Sequence, residues 1–294
     1  MRNTTRLRQL LARPGALMAP GVADALNARL VTRHGFEALY MTGAGTTAVR
    51  LGMPDVGLLT MTEMVDNAAR IADASGLPLI ADADNGYGGV LNVRRTIQAY
   101  ERAGAAAVHL EDQEMPKRCG HLMGKRLVPA AEMVAKIRAA VDARSDADFV
   151  LIARTDAVAV EGFEQALERA LLYREAGADV LFVEAPSAEQ LPKIAPRLKA
   201  PLLYNMATSG KTPFLGREEI ERLGFKIIIY PNWVMLAAIR AASEVLATLK
   251  QTGSIAAMAK EVPSFKEFFD LLGMAEVQEL EARYGVSEEA RVKY

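Results

Sequence analysis

An α/β chain closed into a (β/α)8 TIM-type barrel with extra C-terminal helices is what the sequence predicts, on three observations. Eight short apolar runs each end in a polar residue or a glycine, and most lead into a helical pattern. The joints that return from helix to strand look alike, HGFEA, AGAAAV, AGADVLFV and LGFKIII, around Gly35, Gly104, Gly177 and Gly224. A glycine there supplies the left-handed C-cap after which a strand can start. The runs are also apolar almost without alternation, the mark of a parallel sheet covered by helices.

In order, Ala16 to Ala19 leads through Pro20-Gly21 to a helix near Val22 to His34, closed by Gly35. Phe36 to Met41 ends at Thr42-Gly43, and Leu79 to Ala81 ends at Asp82-Ala83-Asp84. Val108 to Leu110 ends at Glu111, Phe149 to Ala153 at Arg154, and Val180 to Val183 at Glu184. Pro201 to Tyr204 ends at Asn205, and Ile227 to Tyr230 at Pro231-Asn232. In a barrel the C-terminal strand ends share one face, so Thr42, Asp82, Asp84, Glu111, Arg154, Glu184 and Asn205 are expected over one mouth. A long helix from Trp233 to Lys250 follows, then helical patterns near Ser264 to Leu272 and Ala275 to Tyr284. The expected division is a catalytic barrel, 1–250, and a helical extension, 251–294. The extension's Phe265, Phe268, Phe269, Leu271 and Leu272 must bury against a neighbouring subunit or the barrel's own outside.

The composition excludes several classes. With 35 basic and 36 acidic side chains among 294 residues, the net charge of −1 gives no global field toward nucleic acid or an anionic membrane. No run supplies the roughly 18 apolar residues that would span a bilayer. A single cysteine excludes an intrachain disulfide framework and fits a reducing compartment. The arginines at 2, 6, 8 and 13 faintly resemble a transit peptide, but the first strand is expected at once, which favours a cytoplasmic protein.

The chemistry concentrates in Ala105 to Arg126, AAAVHLEDQEMPKRCGHLMGKR, where a strand ends in acids and a loop brings Lys117, Arg118, Cys119, Gly120 and His121. Asp82 and Asp84 point the same way if the strand continues through them, and with Glu111 they form the hard-oxygen surroundings Mg2+ prefers. Each alone is more simply a helix cap. Cations and a histidine beside Cys119 are expected to lower its pKa and make it an acid–base group. Two other motifs carry less. The G-x-G-x-x-A after Thr42 lacks the later acid of a dinucleotide site, and Gly52 and Pro54 interrupt its helix. The GKT ending at Thr212 has Asn205 where a phosphate loop needs glycine, which leaves Lys211 as an anion contact.

Together YMTGAG, PDVGLLT, DADNGYGG, LEDQ, PKRCGH, ARTDA and FVEAP resemble the isocitrate lyase/phosphoenolpyruvate mutase superfamily, in its methylisocitrate, 2,3-dimethylmalate and oxaloacetate-cleaving branch. The resemblance implies a Mg2+-dependent lyase, with Mn2+ as a substitute, that splits a substituted 2-hydroxy di- or tricarboxylate by retro-aldol chemistry into pyruvate or glyoxylate plus a carboxylic acid. It assigns the metal to Asp82 and Asp84, with Asp55 and Glu111 holding its waters. Thr42, Gly43 and Ala44 would bind the keto-acid carboxylate through backbone N–H groups and Arg154 its oxygens, with Gly120 and Asn205 beside them. Tyr40 would assist removal of the 2-hydroxyl proton, and Cys119 would protonate the carbanion, tuned by His121, Lys117 and Glu184. It also implies a homotetramer with C-terminal helices swapped between paired subunits. Two departures point at specificity: Thr208 stands for a pocket glutamate in NMVEGGKTP, and Trp233 follows Pro231-Asn232 where relatives carry Pro-Leu-Ser/Thr. The alternatives are oxaloacetate decarboxylation or hydrolysis on the same fold, and a non-catalytic carboxylate-binding barrel.

Overall fold

Short β-rich runs separated by glycine-capped helices leave each strand one option, pairing in parallel with its neighbours beneath a helical coat. A computed structural model of the chain describes residues 1–209 and 211–293. It contains α1 (Asn3–Ala12), β1 (Leu17–Val22), α2 (Ala25–Arg33), β2 (Leu39–Met41), α3 (Gly43–Leu51), α4 (Met61–Ser75) and β3 (Leu79–Asp82). Next come α5 (Val90–Arg102), β4 (Ala107–Glu111), α6 (Ala130–Ala143), β5 (Val150–Thr155), α7 (Phe163–Glu175) and β6 (Val180–Val183). Then follow α8 (Leu191–Leu198), β7 (Leu203–Asn205), α9 (Arg217–Arg222), β8 (Ile227–Tyr230), α10 (Trp233–Thr252), α11 (Phe265–Leu271) and α12 (Met274–Arg283).

The eight strands run in the order β6-β5-β4-β3-β2-β1-β8-β7, all neighbours parallel. The ring closes between β6 and β7 through one bridge, Leu181 to Leu202. Side chains alternate between two cores, as a strand's period of two requires. Tyr40, Ile80, Ala107, Ile152, Phe182, Leu203 and Ile229 fill the barrel interior, whereas Leu39, Leu79, Val108, Leu151, Leu181 and Tyr204 pack outward under the helices. The same inward parity, two residues further on and four in β4, delivers Asp82, Glu111, Arg154, Glu184 and Asn205 to the C-terminal mouth.

Two boundaries differ from expectation. β1 runs on through Pro20 and Gly21 to Val22, because Pro20 keeps its register with Tyr230 and the punctuation Pro-Gly is absorbed into the strand end. Gly21 is required there, since a Cβ would run into the Pro231 backbone. The basic N-terminal segment folds as helix α1, which buries Leu7 and Leu10 in the inner core. Its Arg8 pairs with Asp179 at 2.9 Å and donates to the Asp148 and Phe149 carbonyls.

The chain divides into two compact units, Met1–Met235 and Leu236–Tyr294, and the division falls inside α10. Nothing in α10, α11 or α12 is buried, and Ile239, Leu246, Phe265 and Phe268 are exposed. α11 is started by a capping box between Ser264 and Glu267. Among the described residues no helix is long and apolar enough to cross a membrane.

Candidate active site

The inward strand ends meet a loop between β4 and α6 over a small cavity of about 50 Å3. Its lining takes Tyr40, Thr42 and Ala44 from β2 and α3, Asp55 from the following loop, and Asp82 and Glu111 from β3 and β4. Lys117, Cys119, Gly120 and His121 come from the loop, and Arg154, Glu184 and Asn205 from β5, β6 and β7. Ala207, Pro231 and Asn232 complete the wall. Of the residues expected at the site, Gly43, Asp84, Thr208 and Trp233 are not in this lining.

Asp84 differs in how it arrives. β3 ends at Asp82, and Asp84 sits in the left-handed region at φ 47°, so the pair is not an alternating strand pair. The turn instead folds the Asp84 N–H back onto Asp82 Oδ1 at 2.9 Å. A non-glycine residue held there costs of order 1–3 kcal/mol and persists only where its surroundings impose it. Asp82 Oδ2 accepts from the Gly43 N–H at 3.1 Å, so that amide serves the aspartate and is not left for a substrate carboxylate. Gly43 cannot carry a side chain, because its Cβ would lie 2.5 Å from Asp82 Oδ2. Thr42 caps α3 and reaches Asn232 Oδ1 at 3.1 Å, which leaves the Ala44 wall at the helix N-terminus facing the cavity.

Lys117 is buried against two acids, 2.7 Å from Asp55 Oδ1 and 2.5 Å from Asp84 Oδ1. Burial works against its charge, but Asp84, Glu111, Asp82 and Asp55 hold its pKa well above the lysine range. Burial pushes Asp84 up to about 7, with Asp82 and Asp55 adding to the rise and Lys117 opposing it. Asp82 stays below the usual carboxylate range despite burial, held there by His109, Lys117 and Arg154. Burial raises Glu111 well above that range, although Arg154 and Lys117 pull the other way.

These groups suit a hard divalent cation. Glu111 Oε1 is buried without a hydrogen bond, Asp84 Oδ1 has the Lys117 ammonium as its partner, and the donors are all carboxylate oxygens. Among the described residues no group of three or more His, Cys, Asp or Glu side chains closes into a cage, so the expected three-carboxylate cage of Asp82, Asp84 and Glu111 is not formed. Glu111 instead lies 3.3 Å from Arg154 Nη1. One or two direct carboxylates with waters and substrate oxygens is the arrangement Mg2+ ordinarily takes.

Arg154 is fixed from behind. Asp156, fully buried, accepts from its Nε and Nη2, both at 3.0 Å, and pairs with Lys125 at 2.8 Å. Lys125 also donates to the Gly120 carbonyl, so one buried aspartate ties the guanidinium to the thiol loop. A Cβ on Gly120 would collide with the Arg154 guanidinium. Glu184 lies 3.5 Å from Arg154, and both its carboxylate oxygens accept from Asn205 Nδ2 at 3.2 Å.

The environment of Cys119 is not what its sequence neighbours suggest. Arg118 points away to the Met123 carbonyl, and Lys117 is taken by Asp55 and Asp84. Burial pushes the thiol up; the His121 backbone N–H lowers it, and Asp55 and Glu184 raise it. The expected lowering is therefore reversed, and the thiol stays protonated at neutral pH. A protonated thiol is the form that donates a proton. His121 lies 3.0 Å from Glu184 Oε1.

One residue escaped sequence reading. His109, wholly buried, shares the inward face of β4 with Ala107 and Glu111, and places Nε2 2.8 Å from the Tyr40 hydroxyl and 3.4 Å from Asp82 Oδ1. Burial lowers its pKa although Asp82 opposes the change, so the ring is neutral. Burial likewise raises the Tyr40 phenol well above its usual range. The signal was available: in VHLE, His109 is two residues before Glu111 and must share its face.

Thr208 is exposed, and Ala207 takes the place at the wall. Trp233 backs that segment rather than the cavity: Nε1 donates to the Met206 carbonyl at 2.7 Å, and the ring packs edge-on against Phe214. Lys211 donates to the His121 carbonyl at 2.8 Å, which replaces the expected anion as its partner.

The family described as phosphoenolpyruvate phosphomutase matches residues 7–250. The sequence is 46% identical over 285 residues to the 2,3-dimethylmalate lyase of Eubacterium barkeri, covering 97% of this chain and 99% of that protein. It is 45% identical over 277 residues to the 2-methylisocitrate lyase of Aeropyrum pernix, covering 94% and 89%. A crystal structure of 2,3-dimethylmalate lyase superposes with a TM-score of 0.94 at 41% identity, over 100% of this chain and 99% of that one. Oxaloacetate acetylhydrolase bound to 3,3-difluorooxalacetate superposes at 0.92 and 40% identity, over 97% and 98%.

Proposed function

The chain belongs to the phosphoenolpyruvate phosphomutase family, and from that membership we propose that it is a carbon–carbon lyase. It cleaves a substituted 2-hydroxy di- or tricarboxylate of the alkylmalate or methylisocitrate type, by retro-aldol chemistry, to pyruvate or glyoxylate plus a carboxylic acid. The observation that carries this reading is a half-buried thiol, held in its protonated form, lining the same cavity as Asp82, Arg154 and the α3 N-terminus.

Arg154, held rigid by Asp156, presents a positive charge to a substrate carboxylate. Tyr40 takes the 2-hydroxyl proton as the C–C bond breaks and passes its own to Nε2 of neutral His109, whose gained charge the Asp82 carboxylate balances. The electron pair left on the departing carbon takes the Cys119 proton, and His121 and Glu184 keep the thiol loop in place. Mg2+, or Mn2+ in its place, would be held by Asp82 and Asp84 with Asp55 and Glu111 on its waters, and supplies stabilisation of negative oxygen charge when bound. The exposed apolar side chains of α10 to α12 support a homotetramer that exchanges these helices between paired subunits, and a cytoplasmic setting suits a free thiol.

The test is a keto-acid-coupled assay over 2,3-dimethylmalate, other alkylmalates and 2-methylisocitrate, with EDTA and then restored Mg2+. Turnover of one of them that EDTA abolishes and Mg2+ restores is expected, and Cys119→Ala should lose about 10²- to 10⁴-fold in kcat, the range of general acid catalysis. Undiminished turnover in Cys119→Ala would remove the thiol from the reaction. The likeness to oxaloacetate acetylhydrolase favours one second reading, oxaloacetate cleavage; oxalate plus acetate from oxaloacetate, with alkylmalates inert, would establish it.

A further inference from the structure

His121 is engaged at both ring nitrogens, and only one of its partners belongs to the chemistry described above. Nε2 lies 3.0 Å from Glu184 Oε1, while Nδ1 lies 2.6 Å from the hydroxyl of Ser209, in the segment after β7. Glu184 is anchored by Arg154 and Asn205 and accepts only, so it takes an Nε2–H. Nδ1 is then the acceptor, and the Ser209 hydroxyl donates to it. Lys211 grips the same residue through its carbonyl at 2.8 Å. The turn that holds both His121 and the thiol is closed by the Leu122 N–H, which donates to the Cys119 carbonyl at 2.8 Å. Whatever fixes this ring and its backbone therefore fixes the turn that carries the thiol.

We propose that Ser209 is a positioning residue: it holds His121 as the Nε2–H tautomer against Glu184 and so keeps the Cys119 loop closed over the cavity. The kinetic part of this rests on the lyase reading; the closure part does not. Ser209 never touches the reacting carbon. Its effect passes through His121, and falls on the step in which the thiol gives up its proton.

The experiment compares wild type, Ser209→Ala and Ser209→Thr. Without substrate, the alkylation rate of Cys119 by iodoacetamide is read at fixed pH; with 2,3-dimethylmalate, kcat, KM and the D2O isotope effect on kcat are measured. Ser209→Ala should alkylate several-fold faster and lose about tenfold in kcat, the equivalent of one ordinary hydrogen bond, with KM within about twofold. Its solvent isotope effect should rise, because protonation becomes slower, and Ser209→Thr should restore both readouts. Alkylation and isotope effect unchanged in Ser209→Ala would overturn the proposal, as would a threonine that fails to restore them. If the wild type turns over no acid of the panel, the lyase reading fails while the alkylation comparison still decides the role of Ser209.

Discussion

Replacing Asp156 with alanine removes the one buried acid that compensates two buried cations. Arg154 loses two 3.0 Å hydrogen bonds and keeps only Glu111 at 3.3 Å and Glu184 at 3.5 Å. Lys125 loses its 2.8 Å partner and keeps a backbone carbonyl, and Gln113 loses an acceptor at 3.2 Å. Breaking a buried pair from one side costs about 3–5 kcal/mol, because the opposite charge stays buried without compensation. At roughly 2–4 °C per kcal/mol for a domain of about this size, Tm should fall by roughly 6–20 °C. The guanidinium should also swing out of line, lowering kcat/KM by on the order of 10²-fold. Asp156→Asn separates shape from charge: it keeps one acceptor but turns an amide donor toward a cation, so most of both losses should remain. Differential scanning fluorimetry and the coupled assay read the two effects. A Tm within about 2 °C of wild type, together with unchanged KM, would refute the view that Asp156 organises Arg154.

Gly120→Ala forces a Cβ into the Arg154 guanidinium, and should raise KM and lower kcat while leaving Tm nearly unchanged; an active variant would show that the loop has room to shift. The Cys119 thiol, raised above its usual range, should alkylate slowly at pH 7 and accelerate only above about pH 9, where thiolate forms. A midpoint at or below about pH 8 would contradict that direction. Leu246→Asp and Phe265→Asp, each placing a charge where an exposed apolar side chain now stands, should reduce the assembled mass seen by light scattering. An unchanged mass would remove these helices from the proposed assembly.

The sequence made the barrel and most of the mouth legible because both follow from local rules. A strand of period two that ends in Asp82, Glu111, Arg154, Glu184 or Asn205 must aim that residue where the inward Ile80, His109, Ile152, Phe182 or Leu203 already point. What stayed hidden depends on contacts made across the chain. The left-handed turn at Asp84 replaces strand alternation, and nothing in DADNG announces it. Cys119 looked activated because its sequence neighbours are cations, yet Arg118 and Lys117 are drawn elsewhere and burial decides the direction. His109 was lost inside an apolar run. Lys125 and Asp156 act through Arg154 and Gly120, at separations no motif spans. Thr208 and Trp233, expected in the pocket, are not in its lining, whereas their neighbours Ala207 and Asn232 form its wall.

The ring of strands is stitched at seven interfaces by ladders and at the eighth by the single bridge from Leu181 to Leu202. A wall yields first where its backbone bonds are fewest, so amide exchange should be fastest along β6 and β7. Directly above this seam stand Glu184 and Asn205, whose side-chain hydrogen bonds pull the two edges together at the rim. A substrate that engages both residues would act as a rivet, and loading the cavity should protect the amides of β6 and β7 more than those of any other pair.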